Sequence, residues 1–134
     1  MNARTFATVL GVAFLLAGIA GFVPSPPPPD ALPLTINHYH GLALGLFPVN
    51  ILHSVVHLLF GVIGLAAARG IGISAVGYAQ FVAVAYGLLT VLGLLPATQT
   101  TFGLIPIYGN DVLLHGVIAL AAAIVGFGRS RLAV

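Results

Sequence analysis

No charged side chain appears between Arg4 and Asp30, between Asp30 and Arg69, or between Arg69 and Asp111. Runs of that length constrain the fold more than any motif. A helix needs about 20 apolar residues to cross a hydrocarbon core of about 30 Å, and these runs hold four such lengths. The spans are expected near 5–23, 51–69, 74–95 and 110–128. With 60% hydrophobic and 4% charged residues, a water-facing surface could not be covered. The fold class that follows is all-α: one integral membrane domain, residues 1–134, folded as a four-transmembrane-helix bundle.

The first run could be taken for a secretory signal, with Arg4 followed by apolar residues to Val23. No small-residue cleavage site precedes the proline run, so it is expected to remain as the first span. The four arginines fall at one set of span ends: Arg4, Arg69, Arg129 and Arg131. The positive-inside rule then puts both termini in the cytoplasm and loops 24–49 and 96–109 outside. A net charge of +2 with no basic cluster excludes a nucleic-acid surface. The absence of cysteine excludes disulfides, iron–sulfur clusters and thiolate metal sites.

Against this apolar background the polar residues stand out. Asp30, His38, His40, Asn50, His53 and His57 belong to the first outer loop or the start of span 2; Asn110, Asp111 and His115 open span 4. At 1.5 Å per residue, His57 and His115 lie roughly 6–10 Å inside their helix starts, at similar depth. His53, His57, Gly61, Gly64 and Ala68 form one helical stripe, and Asp111, His115, Ala119, Ala122 and Gly126 form another with the same spacing. Small residues on such stripes let membrane helices approach closely. The polar pairs are therefore expected on helix contact faces, turned from lipid. Span 1 carries Gly11 and Gly18 on one face, and span 3 carries Tyr78, Gln80, Tyr86 and Thr90. Tyr86 and Thr90 are candidates to hydrogen-bond a histidine nitrogen. Asn50 and Asn110 are expected as helix N-caps. The prolines at 26–29 are expected as an extended spacer.

The halves of the chain look alike. GLFPVNILHSVVH (45–57) aligns without gaps on GLIPIYGNDVLLH (103–115), pairing His57 with His115 and His53 with Asp111. Two parallel two-helix repeats would be related by an axis along the membrane normal.

Two donors four apart on a helix face can chelate one ion. His53, His57, Asp111 and His115 are the candidate metal ligands; a nitrogen-rich set with one carboxylate suits zinc, copper, iron or nickel. Alternatively, His57 and His115 could ligate haem from opposite sides, as cofactors are held in bundle cores. The cluster could also be a structural network, or a path for a proton, an ion or a small molecule. His38 and His40 read as solvated loop residues. No nucleophile–base pair is visible, which makes an enzyme the least supported class. The competing class is an accessory subunit, held by its lipid-facing surface against a membrane partner or a second copy.

GFVP (21–24), GLFPVNILHSVVHLLFGVIGLAAAR (45–69) and GNDVLLHGVIAL (109–120) resemble the family termed domain of unknown function 4383. The likeness covers most of the chain. It implies a small bacterial four-span protein of the cytoplasmic membrane and carries no catalytic residues. It also implies an asparagine after the first histidine of span 2, where this chain has Ser54.

Overall fold

The computed structural model describes residues 1–128. Four long helices account for most of it: α1 (Ala3–Ala20), α2 (Ile51–Ala68), α3 (Ala75–Leu94) and α4 (Asn110–Phe127). All four are long and apolar enough to cross a membrane, and their limits fall within three residues of those expected from the charge-free runs. Arg129 and Arg131 lie outside the described residues. Between α1 and α2 a short antiparallel hairpin forms from β1 (Gly41–Ala43) and β2 (Phe47–Val49).

The first three helices start where a polar side chain takes over one of their unpaired N–H groups. Asn2 accepts from the Thr5 N–H, Asn50 from the His53 N–H, and Ser74 from the Gly77 N–H, at 2.8–3.0 Å. Asn110 departs from expectation. Gly109 holds the cap position of α4, and the Asn110 amide instead donates to the Leu46 carbonyl at 2.9 Å. A distant carbonyl has recruited the side chain that local geometry would have used.

Packing is concentrated in two antiparallel pairs, α1 with α2 and α3 with α4. In the first pair small residues bring the backbones together. A Cβ on Gly61 would lie 2.9 Å from the Gly11 carbonyl oxygen, and one on Gly11 would lie 3.0 Å from the Gly61 oxygen. In the second, a Cβ on Gly126 would come within 2.8 Å of the Gln80 backbone nitrogen, and the Gln80 amide donates to the Gly126 carbonyl. Such close approach gives dispersion contact that lipid cannot supply, which drives helix association in a membrane. The pairs join through Phe6, Ala7 and Phe14 of α1, packed with Tyr78, Ala79, Val82 and Tyr86 of α3. Large apolar side chains on the outer faces, among them Leu16, Leu59, Leu88 and Leu120, are more than half exposed. Bare leucine on all four helices suits acyl chains rather than water. This is a multi-pass membrane protein.

The two pairs are the expected repeats, and the backbone carries their signature. Leu44 and Gly45 take positive φ angles of 54° and 69°; their repeat equivalents Phe102 and Gly103 take 61° and 87°. A left-handed conformation at a bulky residue is uncommon, so its recurrence at matching positions marks one turn used twice. The loops then lock across the repeats. Thr35 and Ile36 donate their N–H groups to the Gly103 carbonyl, and the Tyr108 hydroxyl accepts from the Leu32 N–H.

Candidate metal centre

Asn50 builds the start of the site. Besides capping α2, its amide donates to the Ile36 carbonyl at 2.9 Å and to the Leu104 carbonyl at 2.7 Å. The side chain is fully buried, and its two donated bonds tie α2 to loops of both repeats. His53 follows one turn later and His57 two turns later, so both imidazoles point from the same face of α2 toward α4. Asp111 and His115 repeat the geometry from the first turns of α4.

Three of the four expected ligands, His53, His57 and His115, come together in the bundle interior, and Asp111 flanks them beside His53. One ring nitrogen from each of His53, His57 and His115 lies within 4.8 Å of the other two. The His53 and His57 rings are 4.5 Å apart between centroids, and those of His53 and His115 are 6.0 Å apart. The Asp111 carboxylate approaches His53 Nδ1 at 3.8 Å. Burial is close to complete, with exposures of 3% for His53, 8% for His57 and 1% each for Asp111 and His115. His53 also interacts with the backbone of Pro48 and Pro106, the matching prolines of the two repeats. The cluster therefore lies where the repeats converge.

Part of the site's hydrogen-bonding capacity finds no protein partner. His53 Nδ1, His57 Nδ1, His115 Nδ1, Asp111 Oδ2 and Ser54 Oγ are all buried without a protein partner. A buried polar atom that gives up water without compensation costs about 1–3 kcal/mol. Four of them belong to the cluster and ask for something to satisfy them; the fifth, Ser54 Oγ, faces Gly21 at the end of α1 instead.

The aromatic surround was not foreseen in full. Phe14 of α1 stacks on His57 at 5.6 Å and on Tyr86 at 5.3 Å, and the edge of Tyr86 meets His115 at 5.1 Å. Phe14 lies on the same helical face as Gly11 and Gly18, three and four positions from them, which was the available signal. The expected hydrogen bond from Thr90 to a histidine does not form; its hydroxyl donates to the Tyr86 carbonyl at 2.7 Å, as threonine commonly does inside a helix. Asp30 and His38 are exposed, and His40 is partly exposed in the same α1–α2 loop, outside the cluster.

Residues 4–128 match the family described as domain of unknown function, DUF4383. No curated protein and no solved structure matches the chain.

Proposed function

The chain belongs to the DUF4383 family, and from that premise, which brings no activity with it, we propose that the protein holds a single transition-metal ion between α2 and α4. His53, His57 and His115 are the nitrogen ligands. Asp111 either completes the coordination or holds the His53 ring in place. The observation that carries this reading is the convergence of three buried imidazoles within 4.8 Å, each with an unpartnered Nδ1. Metal–nitrogen bonds of about 2.0–2.1 Å bring tetrahedral ligands to roughly 3.3 Å of one another, a closure that ring rotation can provide. Three neutral nitrogens and a carboxylate suit zinc, copper(II) or iron(II). A carboxylate beside a ligating imidazole is the usual second partner, fixing ring orientation and raising ligand basicity.

Haem is the weaker reading. A macrocycle clamped between His57 and His115 would spread through the space beside their donor atoms, and His53 stands in that space. A bare ion needs no such slot. On the same reading the site faces the outer side of a bacterial cytoplasmic membrane. Support comes from Arg4 and Arg69, which lie at the helix ends opposite the cluster, and cytoplasmic ends are the arginine-rich ones.

The test is metal analysis with an absorption spectrum on detergent-purified protein, for the wild type, His57→Ala and His115→Ala. One ion per chain, lost in both variants while helicity persists, is the expected result. A folded wild type that stays metal-free after supply of zinc, copper and iron overturns the proposal. A Soret band that both variants lose turns it toward haem.

A further inference from the structure

The α1–α2 and α3–α4 pairs do not close completely on each other. Where α1 passes α4 the contact is slight, and a cavity of about 440 Å³ opens between them. Its walls run along α1 from Leu10 to Ala20, a length of roughly 15 Å at helical rise. Alanines at 13, 17 and 20 leave the space that larger side chains would fill. The hairpin closes the cavity over with Ala43, Phe47 and Val49, while exposed Leu16 and Leu44 mark its open side. Leu16 belongs to the lipid-facing side of α1, so the opening is lateral, toward the acyl chains. At the inner end stand His57, Asp111 and His115, the only polar residues of the lining. His57 Nδ1, His115 Nδ1 and Asp111 Oδ2 are among the buried atoms without a partner.

We infer that this cleft is a binding site for a membrane-dissolved molecule with an apolar body and one neutral oxygen head, entering sideways between α1 and α4. The volume is within the range of small-molecule sites, about 300–1,000 Å³. An apolar cleft with a few convergent polar groups on its inner wall matches an amphiphile's two parts. Imidazole nitrogens both donate and accept, so a hydroxyl or carbonyl oxygen finds a partner there. A carboxylate head would instead be set against Asp111. Phe14, which lines the channel and stacks on His57, offers a flat face beside the head. The apolar walls stand whether or not the three imidazoles hold an ion; where they do, the oxygen head meets the ion or a ring N–H that coordination leaves over.

The experiment is photolabelling in phosphatidylcholine vesicles with a decanol that carries a diazirine on its chain, mapped by mass spectrometry. Label is expected on the peptides containing Leu10, Ala13 and Leu114, with excess decanol or a decyl-substituted quinone protecting and decane not; the better protector identifies the head. Ala17→Phe, which fills the channel, is expected to remove most of this label. Leu114→Trp, a milder change at a partly exposed position, narrows the same opening and guards against misfolding of the first variant. Label spread evenly over outer-face residues such as Leu59 and Val84, and unaltered in both variants, overturns the inference. So does stronger protection by decanoic acid than by either neutral competitor. Metal content measured on the same samples separates the two proposals: the channel variants keep every ligand, so loss of label with retained metal supports both, and loss of label in a protein that holds no metal supports the cleft alone.

Discussion

Asp111 is the only carboxylate in the bundle interior, and its neighbours decide what it is for. It lies 3.8 Å from His53 Nδ1 and accepts no hydrogen bond at Oδ2. Asp111→Asn keeps the shape but replaces an anionic oxygen by an amide. If the carboxylate orients or completes a metal site, the substitution lowers metal affinity by about 10- to 100-fold, read by competition with a chromophoric chelator, with helicity unchanged by circular dichroism. Asn50 makes a different prediction. Asn50→Ala removes the N-cap of α2 and leaves the Ile36 and Leu104 carbonyls without their donor. At about 1–3 kcal/mol for each buried group left unpaired, a destabilisation of several kcal/mol is expected by thermal unfolding in detergent. It exceeds that of Asn110→Ala, whose single bond to Leu46 lies at the exposed surface.

At the level of elements, the close contact of α1 with α2 rests on Gly11 and Gly61. Gly61→Leu forces a branched side chain toward Leu15 and the Gly11 carbonyl, where even a Cβ would come within 2.9 Å. Overpacking of this kind costs about 1–3 kcal/mol. Gly87 is the internal control, because a Cβ there meets nothing within 4 Å. Gly87→Ala is expected to leave stability unchanged or raise it by up to about 1 kcal/mol through helix propensity; the two melting temperatures check both statements. These elements also show what was readable in the amino-acid order. Hydrocarbon solvent leaves no choice but helix for long uncharged segments, so the four spans could be placed within a few residues. The stripe containing His53, His57, Gly61 and Gly64 was readable because one face must supply both close packing and shelter for imidazole. The hairpin over the cavity was not. Its strands have three residues each, too short for an alternating pattern, and they are held by the bridge from Leu42 to Ser25. Asn110 was misread for a related reason: its partner, Leu46, is close in space but remote along the chain.

For the whole molecule, the arrangement of arginines implies a topology that the chain makes easy to test. It contains no cysteine, so a single introduced thiol reports without background. Asp30→Cys, exposed in the α1–α2 loop, is expected to react with a membrane-impermeant maleimide in intact cells. Arg69→Cys, exposed at the opposite end of the bundle, is expected to react only after lysis; the reverse pattern would invert the orientation. The exchange of asparagine bonds has a wider consequence. Asn50 reaches the carbonyl of Leu104, and Asn110 reaches that of Leu46, its counterpart in the other half. Neither hairpin of helices can finish its own entrance; each borrows a leucine oxygen from its sibling. Two fragments severed in the 69–74 turn and co-expressed should still recognise one another.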